Sequence, residues 1–423
     1  MTGDVAARVA EIVARVEAQG DAGLLELIRE LDTGGREPWP LRVDPLALRE
    51  ALEALPGPLR EALELAAGNV RAVALASLGP DREVDLPQGQ VVTIREVPVR
   101  RAAIYVPGGR APYPSTVVMG AVTAQVAGVE EVVVCSPPRA DGDVDPVVLG
   151  ACALCGVEEV YRMGGAHAVA ALALGTESIP RVDVIAGPGN VYVQEAKRRL
   201  SGRVGIDSFA GPSELAILLS EGADARLAAL DLLAQAEHGP DSRVVAVSPS
   251  EDLLAAVGRE LGEAARRAGG ASPETAPSGA GASPGTASSA GGDRVVELLP
   301  VRDLEAALAF VEDMAPEHLQ LMGPEAEGLA GRVRSAGCVF VGESSGTAFG
   351  DYVAGSNHVL PTGGAARFAS ALSARTFRRH ATEVRLGDPA ELARAGAAIA
   401  RAEGFGAHAE SMEARIRDNG ADG

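Results

Sequence analysis

Apolar residues recur at helical spacing through the first 78 positions of the chain, with charged residues between them. This period predicts helices over residues 5–17, 24–31, 45–55 and 58–78, because positions three or four apart share one face of a helix. A strand rich in β-branched residues follows near residues 91–97. We therefore assign residues 1–100 to an N-terminal helical region, and expect it to pack on the second of the two α/β domains predicted below.

From residue 101 the pattern changes to short apolar runs that alternate with helical segments. Strands are predicted at residues 101–106, 131–135, 159–163 and 182–186, and again at 215–219, 244–248, 295–299, 318–321 and 338–341. Strands that alternate with helices are typical of βαβ units and parallel sheets. The two series predict two related α/β domains, over residues 101–212 and 213–370.

Two segments fall outside this alternation. Residues 271–292 are almost entirely Ala, Ser, Gly, Pro and Thr, which cannot bury enough apolar area to order themselves, so we expect a disordered insertion. Beyond about residue 370 the strand pattern stops. Residues 371–423 are predicted to form a helical tail that carries His380 and His408.

The composition, 47% hydrophobic and 23% charged with a formal net charge of −20, is that of an acidic globular protein. Nucleic acids and anionic membranes require a cationic protein surface, so this charge argues against a general binder of either. The N-terminus lacks the basic start and apolar core of a signal peptide, and no stretch approaches the roughly 20 apolar residues of a membrane span. We expect a cytoplasmic protein.

Lysine and cysteine usage limits the chemistry further. Lys197 is the only lysine and stands in a Lys-Arg-Arg run, so we expect it to be solvated rather than to form a Schiff base. Cys152 and Cys155 form a C-x-x-C motif inside an apolar run. That setting favours packing in a buried helix over redox or metal chemistry.

Four of the six histidines stand beside acids, amides or turn residues. Imidazole binds borderline metals and transfers protons near neutral pH, so this grouping indicates a metal or acid/base site. Gln235 and His238 are three positions apart at the end of a predicted helix and share one face. The alternative is a histidine that only caps the last helical carbonyls.

Glu317 and His318 are adjacent at the start of a predicted strand. Neighbours on a strand point to opposite faces, so both can reach one cleft only if Pro316 makes the segment irregular. A histidine beside a carboxylate suits general base catalysis, with a purely structural role as the alternative.

Asp351 lies in a Gly-rich loop that runs to His358, and such loops commonly supply ligands. His408 and Glu403 lie in the tail. A tail residue can join a remote site by packing back or by crossing to a second subunit. The alternative for His408 is an ordinary surface histidine.

Glycine-rich turns follow several strands of the first series: Pro107-Gly-Gly109, Gly164-Gly165 and Gly187-Pro-Gly-Asn190. A helix that begins after the last turn would offer free N–H groups to a phosphate. The full G-x-G-x-x-G fingerprint is absent, because Tyr192 occupies the third glycine position. A nucleotide cleft and ordinary loops fit these turns equally well.

Taken together, these segments resemble the histidinol dehydrogenase family from about residue 10 to His408. The motifs that carry the resemblance occur in the family's order: Ile104-Tyr-Val-Pro-Gly-Gly109, Met163-Gly-Gly-Ala166, Ala186-Gly-Pro-Gly-Asn190, Ala210-Gly-Pro-Ser-Glu214, Gln235-Ala-Glu-His-Gly-Pro-Asp-Ser242, Ala315-Pro-Glu-His-Leu319, Gly350-Asp-Tyr352 and Asn357-His-Val-Leu-Pro-Thr362. Several long, independent motifs in register make this a specific signal.

The resemblance implies an α/β fold with two related, incomplete Rossmann-like parallel-sheet domains, a helical N-terminal region and a helical C-terminal tail. Residues 101–212 would form the NAD-binding side, and residues 213–370 would carry the zinc and catalytic residues. The implied reaction is the two-step oxidation of L-histidinol to L-histidine with two NAD⁺ and one Zn²⁺ per subunit. The implied assembly is a homodimer with exchanged tails.

Residue roles follow from the same resemblance. The implied zinc ligands, which also contact the substrate, are Gln235, His238, Asp351 and His408. The implied acid/base pair is Glu317 and His318, with His318 also touching the substrate. Further substrate contacts are Ser213, His358 and Glu403, and His408 and Glu403 would come from the partner subunit. The implied cofactor contacts are Tyr105, Asn190 and His167, the last standing where the family usually has Gln.

Two other functions are kept for comparison. A zinc hydrolase would use metal-bound water beside Glu317 and show no dependence on nicotinamide. A non-catalytic metal- or nucleotide-binding protein would bind ligand without turnover, and the Glu317-His318 pair would be dispensable.

Overall fold

The computed structural model describes residues 2–36, 39–108, 111–239, 241–267, 274–277 and 295–416. Within these residues the chain forms two compact units. The larger unit combines the residues up to Ser77 with Val99–Phe377, and the smaller unit combines Leu78–Pro98 with the residues from Arg378 onward.

The chain begins with helices α1 (Thr2–Leu31), α2 (Pro45–Glu53) and α3 (Gly57–Ala76), followed by strands β1 (Arg82–Asp85) and β2 (Gln90–Pro98). Helix α1 is two helices joined at Gly20, whose φ of 54° interrupts the helical backbone. Asp44 caps α2, because its side chain accepts a hydrogen bond from the Leu46 N–H. The helices predicted over residues 5–17, 24–31, 45–55 and 58–78 are therefore confirmed.

The first parallel sheet follows. Its elements are β3 (Arg101–Tyr105), α4 (Pro114–Val117), a π-helical turn (Val118–Val122), α5 (Thr123–Val126), β4 (Glu131–Ser136), α6 (Pro146–Leu154), β5 (Glu159–Arg162), α7 (Gly165–Leu174), β6 (Val184–Ala186), α8 (Val191–Leu200) and β7 (Gly205–Ile206). The strands lie in the order β5-β4-β3-β6-β7, all parallel. This is the Rossmann order without its last strand, as predicted.

The second sheet repeats this order and adds β10 at one edge. Its elements are β8 (Glu214–Leu219), α9 (Ala225–Ala236), β9 (Arg243–Ser248), α10 (Glu251–Arg267), β10 (Glu274–Pro277), β11 (Val295–Pro300), α11 (Leu304–Met314), β12 (His318–Met322), α12 (Pro324–Glu327), a 3-10 turn (Ala330–Arg332), β13 (Cys338–Val341), α13 (Thr347–Tyr352), and 3-10 turns at Ala365–Arg367 and Ala374–Phe377. The strands lie in the order β10-β11-β9-β8-β12-β13, all parallel.

Strand β10 corrects one expectation. Residues 274–277 lie inside the insertion predicted to be disordered over residues 271–292, yet their backbone pairs with β11. The open edge of β11 offers a ladder of N–H and C=O groups, which pairs with an added strand whatever its side chains. The rest of the predicted insertion lies outside the described residues.

The N-terminal helices pack on the first α/β domain, and the expectation that they pack on the second is wrong. The apolar face of α1, including Val9, Val16 and Leu27, is buried in the same cluster as residues of β3, β4 and α7. Leu55, just after α2, packs against Gly150 of α6. Helical periodicity identifies an apolar face but not its partner, so the sequence left this choice open.

The smaller unit contains a strand where only helices were predicted. Strand β14 (Arg378–Leu386) pairs antiparallel with β2, which also pairs with β1, and helices α14 (Ala390–Ala402) and α15 (Gly406–Glu413) follow. The residues of β14 are mostly exposed and polar, so no apolar alternation marked the strand. The predicted boundaries at residues 100 and 370 are corrected accordingly, because β1 and β2 belong with the tail.

No helix among the described residues is long and apolar enough to cross a membrane.

A buried ion cluster joins the amino ends of three neighbouring strands of the first sheet. The Arg101 guanidinium is 3% exposed, and lies 2.5 Å from Glu131 Oε2 and 2.5 Å from Glu159 Oε1. Burial alone would raise the pKa of Glu159, but the hydrogen bonds from Arg101 and Tyr161 outweigh it and hold that pKa below its ordinary value. Arg101 therefore neutralises two carboxylates that the sheet brings together.

Replacing Arg101 with Met is expected to destabilise the protein by about 3 kcal/mol, because it removes the ion-pair partner of Glu159, whose side chain is 19% exposed. Arg100→Met is the matched control. Arg100 also pairs with Glu131, but its side chain is 70% exposed, so its loss should change stability by less than about 0.5 kcal/mol. Urea denaturation of both variants measures the difference, and equal stabilities would contradict the role assigned to burial.

Candidate active site

Helix α9 places Gln235 and His238 at one end of the second sheet. Asp224 caps the start of the helix by accepting hydrogen bonds from the Arg226 and Leu227 N–H groups. Gln235 lies in the last turn, is 1% exposed, and donates from Nε2 to Ser213 Oγ at 2.8 Å. His238 follows the helix and is about half exposed. Gln235 is therefore directed at Ser213, whereas His238, predicted to share its helix face, lies beyond the end of the helix.

The parallel pairing of β8 and β12 brings Ser213 to Glu317. Ser213 immediately precedes β8, and Glu317 immediately precedes β12. The register of the two strands places His318 opposite Leu215. Ser213 Oγ donates to Glu317 Oε2 at 2.6 Å, and the Glu214 N–H donates to the same oxygen at 3.0 Å. Two donors therefore fix the orientation of the Glu317 carboxylate.

The backbone just before Glu317 is irregular. Glu317 and His318 were expected to reach one cleft only under this condition. Ala315 ends α11 in the left-handed conformation, with φ 47° and ψ 60°. It is the only non-glycine residue with positive φ among the described residues. A left-handed conformation at such a residue costs about 1–3 kcal/mol of stability, and it persists only where the surrounding packing holds it in place. Ala315 is itself fully buried.

Backbone and carboxylate partners define the state of the buried His318 ring. Nδ1 lies 3.2 Å from the Glu214 carbonyl oxygen, which only accepts, so Nδ1 carries the proton of the neutral ring. Nε2 is then the basic nitrogen, and it lies 3.6 Å from Asp351 Oδ1. Burial alone would lower the pKa of His318, but the Asp351 and Glu317 carboxylates outweigh burial and raise that pKa above its ordinary value.

Asp351, on α13, connects three histidines. Its Oδ2 lies 3.9 Å from His238 Nε2, and its backbone oxygen accepts from His358 Nδ1 at 2.9 Å. His358 Nε2 is therefore the acceptor for the Thr116 hydroxyl on α4, at 3.3 Å. Burial lowers the pKa of His358 and keeps its ring neutral. Thr116 was not identified from the sequence, because a lone threonine carries no distinguishing pattern.

No role was predicted from the sequence for Glu214 either, although it ends the motif Ala210-Gly-Pro-Ser-Glu214. Its backbone contacts both Glu317 and His318. Its own side chain is largely buried, and Oε2 has no hydrogen-bond partner. Burial raises the pKa of this carboxyl.

The donor atoms of Gln235, His238 and Asp351 fit a zinc ion. Gln235 Nε2 is engaged by Ser213, so Oε1 is left for a metal, and nitrogen and oxygen donors suit Zn²⁺. The 3.9 Å between His238 Nε2 and Asp351 Oδ2 is close to the about 3.4 Å that separates two ligands of a tetrahedral zinc. Among the described residues, no group of three or more His, Cys, Asp and Glu side chains could hold a metal by itself.

The remaining predicted residues of this site, Glu403 and His408, lie in the smaller unit. Glu403 ends α14, and His408 lies in the first turn of α15 with its ring 5.3 Å from that of Phe405. Both residues are exposed. Their assignment to the metal and substrate stays a prediction.

The Gly-rich turns lie together at the carboxyl edge of the first sheet, where β3, β5 and β6 end; Gly109 is outside the described residues. Pro137, after β4, packs against both Gly108 and Gly164, where a Cβ would lie 2.8 and 2.5 Å from its ring. The chain leaves β3 toward β4 and leaves the adjacent β6 toward β7 on the other side. This divergence is a topological switch point, where α/β sheets place ligands.

Three residues predicted to contact a cofactor lie at or beside these turns. Tyr105 is 3% exposed, and its hydroxyl accepts from the Gly165 N–H at 3.0 Å. His167 is 1% exposed, and its Nε2 lies 2.9 Å from Asp32 Oδ2 at the end of α1. Asn190 caps α8 by accepting from the Tyr192 and Val193 N–H groups. The contacts of these residues with a cofactor stay a prediction, and His167 is committed to Asp32 in this conformation.

Lys197 is buried, and the expectation that it is solvated is wrong. It is fully buried on α8, and Nζ lies 2.7 Å from Asp207 Oδ1. The neighbouring Arg198 and Arg199 are exposed, so the charged run is one turn of an amphipathic helix with its first member inward. Cys152 and Cys155 are also buried, and burial raises the pKa of the Cys155 thiol to about 12. Their environment supports packing rather than redox chemistry.

Comparison with known proteins agrees with this geometry. The histidinol dehydrogenase family model matches residues 1–416. A histidinol dehydrogenase from a Synechococcus species is 43% identical over 97% of this chain and 92% of its own, and that of Leifsonia xyli is 41% identical over the same shares. The crystal structure of histidinol dehydrogenase from Elizabethkingia anophelis superposes with a TM-score of 0.87, at 29% identity over 96% of this chain and 91% of that one.

Gly187→Ala tests how tightly the first-sheet turn is built. Gly187 has φ of +117°, and a Cβ there would lie 2.1 Å from the Tyr105 carbonyl oxygen. Gly202→Ala is the control, because Gly202 has φ of +96° but nothing within 4 Å of the added Cβ. We expect a loss of about 1 kcal/mol for Gly202→Ala from backbone strain, and about 3 kcal/mol or more for Gly187→Ala from strain plus overpacking. Urea denaturation measures both losses, and equal values would mean that the turn can move away from Tyr105.

Proposed function

We propose that this chain, which belongs to the histidinol dehydrogenase family, oxidises L-histidinol to L-histidine in two steps with NAD⁺ and one zinc ion per subunit. The observation that carries the proposal is one continuous series of contacts, all between side chains except that of His358, which is to the Asp351 backbone oxygen. It runs from Gln235 through Ser213, Glu317, His318 and Asp351 to His238 and His358. Metal donors and an acid/base pair therefore share one site.

The first step removes a hydroxyl proton and a hydride from the alcohol carbon, which leaves an aldehyde. His318 is the base for the proton, because its Nδ1–H is held by the Glu214 carbonyl and its Nε2 is left basic. The neighbouring carboxylates raise its pKa and so strengthen it as a base. Its burial against Phe340 limits the orientations of the ring.

The second step adds water to the aldehyde and removes a second hydride, which gives the carboxylate. Glu317 is suited to activate that water. Both hydrogen-bond donors to its carboxylate act on Oε2, so Oε1 is the oxygen left to accept the proton of a water. The aldehyde is reactive and must stay bound between the steps.

Cofactor and metal would supply what the side chains cannot. When bound, NAD⁺ would accept the hydride, and zinc, which has no redox role, would hold the substrate through its imidazole and amine. Gln235, His238 and Asp351 would hold the metal with His408, while Ser213, His358 and Glu403 would hold the substrate. The Gly-rich turns of the first sheet, with Tyr105, Asn190 and His167, would receive the dinucleotide.

We further propose that His408 and Glu403 act in the site of a second subunit. Both residues are exposed on the smaller unit of their own chain. The metal donors of the larger unit supply only part of a tetrahedral set, so a further ligand is needed.

Glu317→Gln is expected to slow the second oxidation by at least about a hundredfold and the first by less than about tenfold, because only the second step needs an activated water. Rates measured separately with L-histidinol and with the aldehyde supplied directly check this difference. Glu325→Gln makes the same chemical change at an exposed position of α12 and should alter neither rate. Equal loss in both steps would remove Glu317 from the water-activating role.

His408→Asn is expected to weaken zinc binding by at least about tenfold, since it removes one of four ligands. Zinc content after dialysis against a graded series of chelator concentrations measures the affinity. His380→Asn is the control, because His380 is an exposed histidine of the same unit that pairs with Glu96. Unchanged zinc affinity in His408→Asn would exclude His408 from the ligand set.

Mixing two inactive variants distinguishes donation within a chain from donation between chains. A hybrid dimer of Asp351→Asn and His408→Asn subunits contains one intact site only if His408 acts across the dimer. We expect activity to return toward about a quarter of the wild-type value after random reassortment, because half of the dimers are hybrids and each hybrid has one intact site of two. No recovery in a verified hybrid would contradict the exchange of tails.

A further inference from the structure

The only lysine of the chain lies beneath the Gly187-Pro-Gly-Asn190 turn and binds its backbone. Lys197 Nζ donates to the Gly187 carbonyl oxygen at 2.6 Å and to Asp207 Oδ1 at 2.7 Å. The other oxygen of Asp207, Oδ2, accepts from the Gly187 N–H at 2.7 Å. Both polar groups of Gly187 are therefore held by one ion pair, whose side chains are 0% and 3% exposed.

A second tie acts one residue further along the turn. Gln194, one helical turn before Lys197 on α8, donates from Nε2 to the Gly189 carbonyl oxygen at 3.3 Å, and its Oε1 accepts from the Ala210 N–H. The carbonyls of Gly187 and Gly189 thus both face side chains of α8. In a trans peptide the N–H points opposite to the C=O, so the Asn190 N–H is directed away from Gln194.

This arrangement leaves N–H groups available for an anion. The Tyr192 and Val193 N–H groups are occupied by the Asn190 side chain. The N–H of Val191, the first residue of α8, has no partner within the helix. Together with the Asn190 N–H it lies at the positive end of the helix and beside the switch point between β3 and β6.

The choice of lysine also points to a specific contact. Of the 38 Lys and Arg residues, all except Lys197 are arginine. A compact ammonium fits between a carbonyl and a carboxylate in a fully buried space, whereas a planar guanidinium needs more room and more acceptors. A Schiff-base role is excluded, because Nζ is enclosed and bonded to Asp207.

We propose that Lys197 and Asp207 are a positioning pair that sets dinucleotide affinity by holding the Gly187–Asn190 turn in its anion-binding shape, without touching the dinucleotide. The proposal rests on the proposed function, in which the dinucleotide binds at this turn. It assigns the pair to binding rather than to the chemistry, which takes place among Glu317, His318 and the metal donors.

The test compares Lys197→Met with the double variant Lys197→Met/Asp207→Asn, which removes the charge of both partners and so avoids an unpaired buried carboxylate. Arg101→Met is the control, because Arg101 also anchors a buried ion pair, at the opposite edge of the same sheet. NADH titration followed by nicotinamide fluorescence, without histidinol, gives the Kd. Steady-state rates at saturating NAD⁺ give kcat and the KM for histidinol, and thermal melting reports folding.

The folded double variant is expected to bind NADH about tenfold or more weakly than wild type, with kcat and the KM for histidinol within about twofold. Arg101→Met should lose stability but keep its NADH affinity. Unchanged NADH affinity in the double variant, with normal binding by wild type, would overturn the positioning role alone. Failure of the wild-type protein to bind NADH would instead overturn the proposed cofactor site, and the positioning role with it.

Discussion

The parallel pairing of β8 with β12 is the constraint on which the site depends. Its register sets Leu215 opposite His318, and so brings Ser213 and Glu214 against Glu317 and His318. The interior residues of both strands are fully buried, with clusters on either face of the sheet. A slip of one residue would turn every apolar side chain to the opposite face and separate Ser213 from Glu317. Hydrophobic burial in the sheet therefore fixes hydrogen-bond distances at its edge.

The two sheets share the order of five strands, but their candidate site residues lie at opposite edges. The proposed acid/base residues stand at the amino ends of β8 and β12, whereas the Gly-rich turns follow the carboxyl ends of β3, β5 and β6. The hydrogen bond between Thr116, on the helix after β3, and His358 connects the two sets. A repeated fold can carry different functions in this way, because sites are built on its edges rather than in its core.

Much of this organisation could be predicted from the sequence, because apolar runs and residue chemistry are local signals. The parallel strands followed from runs such as the one at β8, and the candidate histidines from their acidic neighbours. Contacts between distant segments could not be predicted this way. The burial of Lys197 depends on Asp207, the packing of α1 depends on the first sheet, and β14 is a polar strand that exists because β2 offers an edge.

The most direct test is the amount of NADH formed from limiting L-histidinol with excess NAD⁺, before and after removal of zinc. Two NADH per histidinol, lost on chelation and restored by added zinc, is the predicted result, because the proposed site combines an acid/base pair with metal donors. No NADH from fully metallated protein would contradict the proposed substrate. One NADH per histidinol would contradict the second oxidation, and turnover that survives complete removal of zinc would contradict the role of the metal.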